Sequence, residues 1–167
     1  IPDGAGKKVC VMVSEKDTIV IKKMLKVNGN GSFVNYSNLN PSKPYVLISH
    51  KKLESSANDY QNYRQSMEGG SYEVIHANIE SLYEQFSYGV RYHPLAIKNF
   101  IKFLKDTFDQ DPRYVFMIGK ALSFENAVPG SIPDQNLIPT IGIPGSDNLF
   151  TADLSGTMGL TYYPEIP

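Results

Sequence analysis

The 167-residue chain has no tryptophan, one cysteine, no excess of charge of either sign and no long apolar run. Each scarcity excludes something. A lone Cys10 forbids an internal disulfide and any zinc site built from several cysteines. It stands in an apolar stretch and reads as a small buried hydrophobe, with no base nearby in sequence to activate it. Sixteen basic and 17 acidic residues leave a formal net charge of −1, which provides no field to hold nucleic acid or an anionic membrane. Apolar runs such as Tyr114–Ile118 reach about five or six residues, against the roughly 20 that a membrane-spanning helix needs. Ile1 opens directly onto Pro2-Asp3-Gly4, so no signal peptide is visible, and this start reads as mature or trimmed protein.

What is present fits one α/β domain with a real core, since 41% of residues are apolar and 20% charged. Residues 1–42 read as a β-rich segment or linker ahead of the main fold. Lys8–Val13 alternates, Thr18–Leu25 is β-branched, Asn28-Gly29-Asn30-Gly31 is a turn, and Ser32–Tyr36 is a third candidate strand. Pro41 and Pro44 then break the chain.

From residue 43 onward the texture becomes that of a parallel α/β unit. Tyr45–Ile48 is a continuous apolar run, as in a strand covered on both faces. Leu53, Ala57, Tyr60, Arg64 and Met67 fall at helical spacing over residues 51–67, and Gly69-Gly70 closes that helix. Tyr72–His76 is a second strand. Asn78 is placed to cap a short helix over Ile79–Phe86. Pro94 opens a helix whose stripe is Ile97, Phe100, Ile101, Leu104 and Phe108. Tyr114–Ile118 is a third buried strand. Crossovers of this length imply parallel pairing with right-handed connections, hence a three-layer, flavodoxin- or caspase-like sheet. Beyond Gly119 the chain is rich in proline. Ile138–Ile143 is a candidate edge strand, and residues 145–163 read as an ordered loop laid on the domain.

Ligands of such sheets sit at the carboxyl ends of the strands, here Ser49-His50, His76-Ala77 and Gly119-Lys120. Ser49 and His50 are adjacent and so point to opposite faces. They therefore do not form a nucleophile–base pair, and one of them caps the following helix. His50 and His76 can approach across neighbouring strands, but two histidines make a poor zinc site even with Glu54. His93 precedes Pro94 and reads as a capping or surface residue. Asp147 and Asp153 offer oxygen ligands for calcium in a loop, though both are also ordinary turn residues. Neither a dinucleotide-binding nor a P-loop glycine pattern is present, and Gly119-Lys120 lacks the upstream glycine and the following hydroxyl. No cofactor, no metal and no catalytic residue is assigned within the chain.

Four segments together resemble the gingipain family of cysteine peptidases, in particular PorU-like, sortase-like surface peptidases of the type IX secretion system of Bacteroidetes. They are Tyr45–Leu53 with Tyr63-Arg64; Ile79–Gly89 leading into Pro94–Lys102; Pro112–Gly119; and Ile138-Pro139-Thr140 with Ser146–Phe150, closing on Pro164–Pro167. The resemblance implies the N-terminal subdomain of a caspase-like catalytic domain over residues 43–167. Its catalytic His and Cys would come from a second subdomain downstream, which would also be its partner. It further implies a protein or peptide substrate and an extracellular or outer-membrane-associated location. Relatives often carry an acidic residue where Lys120 stands, with Glu125 following here, a departure that fits a divergent or inactive relative. Two other readings stay open. One is a non-catalytic cell-surface interaction module of the same fold; the other is a flavodoxin-like small-molecule binder.

Overall fold

The computed structural model of the chain describes residues 14, 23–122, 135–154 and 164–167. Cys10, the runs at 8–13 and 18–22, Glu125 and residues 155–163 lie outside the described residues.

Three parallel strands, β1 (Pro44–Ser49), β2 (Glu73–Asn78) and β3 (Tyr114–Ile118), pair in the order β2-β1-β3. Val46 stands opposite Ile75 on one side and Val115 on the other. The chain leaves β1 through α1 (Glu54–Gln65) to reach β2 on one flank. It then returns through α2 (Ile79–Phe86) and α3 (Leu95–Thr107) to β3 on the opposite flank. Right-handed crossovers that travel in opposite directions must place their helices on opposite faces. Three layers result, as the alternation of helix and strand predicts.

Side-chain alternation confirms the two faces. All six residues of β1 are buried, which is why its sequence is an unbroken apolar run. Val46 and Ile48 join Ile75 and Ala77 of β2 in the main core, with Ile79, Leu82, Ile97, Phe100, Ile101 and Leu104 from α2 and α3. Tyr45, Leu47 and Ser49 look toward α1, where the Tyr45 and Tyr60 hydroxyls are 2.9 Å apart. Tyr45, Tyr72 and Tyr114 form an aromatic group at the start of the sheet. The Arg64 guanidinium stacks on the rings of Tyr45 and Tyr72, at 4.7 and 4.6 Å.

Several expectations needed correction. The helix after β1 ends at Gln65, short of Gly69-Gly70. There the Ser66 hydroxyl donates to the Tyr63 carbonyl and also accepts from the Gly69 N–H, turning the backbone out of the helix. Met67 is exposed rather than part of the stripe. Ser32–Tyr36 is not a strand. Side chains of Asn30 and Asn35 accept from the backbone N–H groups of Ser32 and Ser37, capturing donors that a ladder would need. Nor is Ile138–Ile143 a strand. The amides of Leu137 and Ile138 both turn onto the Lys120 carbonyl, and Gly142 takes φ +87°. Within β3 the face toward α1 is only partly covered, with Tyr114 39% and Phe116 41% exposed, because α1 lies mainly over β1 and β2 and reaches β3 through the Tyr60 ring, 4.8 Å from Phe116.

Tyr36 enters the main core, its ring 4.8 Å from Phe100 and 6.4 Å from Phe86. Later in the chain, Phe150 and Leu154 are buried in that same core. Leu154 is fixed there by its carbonyl, which accepts from Lys102 Nζ at 3.0 Å, and by its N–H, which donates to Glu165 at 2.6 Å. Glu165 also pairs with Lys105, and Val115 of β3 donates to the Pro167 carbonyl. Among the described residues no helix is long and apolar enough to cross a membrane.

Candidate functional site at the carboxyl ends of the strands

Two polar clusters stand where the parallel strands end, one on each face of the sheet. On the α1 face, Ser49 Oγ lies 2.7 Å from His76 Nε2. The reason is register. β2 continues to Asn78, two residues beyond its expected end, so His76 pairs opposite Leu47 and sits diagonally from Ser49 on the same face. Ser49 therefore does meet a histidine, though not its sequence neighbour. Burial lowers the His76 pKa, and Glu54 opposes that shift weakly. At neutral pH the imidazole is uncharged and shares one proton's worth of hydrogen bonding with Ser49. Ser49 is only 2% exposed, so its hydroxyl is satisfied inside the fold and is not presented to a substrate. The pair holds the ends of β1 and β2 together.

On the other cluster, His50 caps the 3₁₀ turn Lys51–Leu53 that leads into α1, its Nδ1 accepting from the Lys52 N–H at 3.1 Å. The helix-cap expectation for this pair of residues therefore holds for His50. Because Nδ1 is the acceptor, the ring proton sits on Nε2, which faces Glu80 at 3.6 Å. Desolvation lowers the His50 pKa despite Glu80, with Lys51 and Lys52 adding to the fall. Glu80 itself is held by Arg91, 2.5 Å away. Asn78 caps α2 as its sequence position suggests, accepting from the Glu80 N–H at 2.9 Å. The cap thus fixes the first turn of α2, and with it the carboxylate that joins His50 to Arg91.

His50 and His76 take different partners and do not converge. Among the described residues no three His, Cys, Asp or Glu side chains gather to hold a metal. His93 accepts from the Leu95 N–H at 3.2 Å at the start of α3. Asp147 opens a 3₁₀ turn (Asp147–Phe150) and Asp153 occupies a left-handed position at φ +52°, both of them turn roles. Lys120 is exposed and acts through its carbonyl. At the end of β3, a Cβ on Gly119 would meet Ile138 at 2.4 Å. The buried Ile138 side chain therefore packs where a crevice beside that strand would open, which weighs against a flavodoxin-like ligand site. Sequence reasoning missed the Ser49–His76 contact and the Glu80–Arg91 link. The first needed the true end of β2, and the second needed the loop between α2 and α3 to fold back on α2.

The geometry is thus that of a braced sheet end, polar but internally satisfied, with no nucleophile and base presented together among the described residues. No curated protein and no solved structure is detectably similar to the chain. The profile of peptidase family C25 matches residues 38–167, covering every strand and helix of the sheet domain. With a parallel three-stranded sheet in the order and spacing on which the resemblance rested, the chain belongs to peptidase family C25, the gingipain family of cysteine peptidases.

Proposed function

We propose that residues 43–167 are the N-terminal scaffold half of a secreted or cell-surface gingipain-like endopeptidase domain. In this reading the catalytic His and Cys are supplied by sequence downstream of this chain, and the substrate is a protein or peptide. The observation that carries it is the placement of the one cysteine. Cys10 lies outside the matched region, while every residue of residues 38–167 is something other than cysteine. A thiolate mechanism needs a cysteine and an adjacent base, and the histidines of the matched region are engaged in bracing and capping. The carboxyl ends of β1 and β2 then serve as a rigid wall of the cleft, held by the Ser49–His76 and His50–Glu80–Arg91 contacts.

The 167-residue chain, incubated with a panel of fluorogenic peptides, is expected to show no turnover. A longer polypeptide from the same reading frame is expected to cleave them, and to stop when its own downstream Cys is replaced by Ala. Turnover by the 167-residue chain that disappears in Cys10→Ala would overturn the reading. A longer polypeptide without any downstream Cys would favour the interaction module instead.

A further inference from the structure

Among the described residues β2 lies at one edge of the sheet, and no strand pairs with its outer side. The Glu73 N–H donates to the Lys43 carbonyl beside β1. Both backbone groups of a strand residue point the same way, and the direction alternates along the strand. Glu73, Ile75 and Ala77 therefore turn their backbones to β1, whereas Val74 and His76 turn theirs outward. Among the described residues neither outward N–H nor outward C=O has a backbone partner. Open edges of this kind template the pairing of another strand.

This edge is also a slot. A cleft of about 510 Å³ opens beside its first half, lined by residues 38–41, Gln65, Tyr72 and residues 73–75. Its one charged lining side chain is Glu73, and the others are carboxamide, phenolic or apolar. The Glu73 carboxylate already accepts from Ser42 N and Oγ, at 2.9 and 2.5 Å, and the Asn40 amide is joined to Asp109. Asn38 and Gln65 carry carboxamides with no hydrogen-bond partner among the described residues, while Leu39, 42% exposed, supplies an apolar contact.

We propose that this slot binds an extended, non-acidic polypeptide segment by strand addition. The peptide's N–H and C=O groups pair with those of Val74 and His76, and its neighbouring residues lie against Leu39 and Tyr72. Two outward residues stand about 7 Å apart along a strand, which is the repeat of one edge of an extended peptide, so the two ladders match without distortion. Recognition is mostly through main chain, and the negative Glu73 beside the slot disfavours acidic segments. The site runs along the outer edge of β2 from Val74 to His76 and uses backbone groups, not the His76 side chain that braces the sheet end, and it does not depend on the chain being part of an active peptidase.

The test uses the full 167-residue chain and an acetylated, amidated hexapeptide of alternating threonine and valine. Amide hydrogen exchange of the free protein is expected to be fast at Val74 and His76 and slow at Ile75 and Ala77. Added peptide should slow the first pair at least about tenfold and shift their amide resonances. The same peptide with every amide N-methylated should do neither. Val74→Pro removes one outward N–H, which an edge position tolerates, and should weaken binding by about tenfold or more. Shifts confined to other residues, equal binding of the N-methylated peptide, or unchanged binding by Val74→Pro would each overturn the proposal. So would protection of Val74 and His76 that rises with protein concentration alone, because a second copy would then be the occupant.

Discussion

Replacing Tyr36 by Ala tests whether the domain begins before the matched region. Tyr36 is 4% exposed and stacks against Phe86 and Phe100, although it stands in the segment that the sequence assigns to a preceding β-rich unit. Burying a tyrosine removes roughly 150–250 Å² from water, worth about 4–6 kcal/mol at ~25 cal/mol per Å² as an upper bound. Truncation of large aromatic core residues typically costs about 3–5 kcal/mol, and we expect about 3–4 kcal/mol here. With a urea slope of about 2 kcal/mol/M, the unfolding midpoint should fall by roughly 1.5–2 M. Tyr36→Phe is the control. Burial raises the hydroxyl's pKa to about 12, and that hydroxyl has no hydrogen-bond partner among the described residues, so its removal should move stability by less than about 1 kcal/mol. A loss below about 1 kcal/mol for Tyr36→Ala would refute the reasoning and return residues 23–42 to the status of a detachable linker.

Stability should fall with acid, because burial lowers the pKa of both His50 and His76. A histidine whose folded pKa lies below its unfolded value of about 6.5 binds fewer protons folded than unfolded. Its contribution is therefore complete above that pH, declines as pH falls through it, and levels off below the folded pKa. Urea midpoints measured from pH 7.5 to 5 should show the decline, and a flat profile would contradict it. Gly69→Ala should cost at least about 2 kcal/mol, since its Cβ would lie 1.7 Å from the Tyr63 carbonyl oxygen. Gly89→Ala, with open space but φ +79°, should cost only about 1 kcal/mol, and thermal melts of the two variants separate a backbone clash from simple conformational strain.

The layers of this domain were legible because their signals were strong and local. Tyr114–Ile118 and Ile79–Phe86 occupy the residues that their pattern indicates, and β1 is buried on both faces, as its unbroken apolar run requires. Where the reading failed, side chains had competed with the backbone. Asn30, Asn35 and Ser66 took backbone groups that periodicity assigned to a strand or a helix. β3 looked doubly buried because its composition matches β1, yet which face a helix covers is decided by the direction of the crossovers and not by the strand itself. The site was half legible. Cap residues such as His50 and Asn78 act within a few positions, so spacing reveals them. The Ser49–His76 contact spans 27 positions and depends on register, which no local pattern encodes.

The strand that begins the sheet is also its middle, and this has a consequence during synthesis. At about 5–20 residues per second, Pro44–Ser49 leaves the ribosome several seconds before Tyr114–Ile118, roughly 65 residues later. Throughout that interval a six-residue apolar ribbon has at most one of its two neighbours. Nascent chains stalled before residue 114 should accordingly recruit holdase chaperones, and those stalled after the sheet is complete should release them.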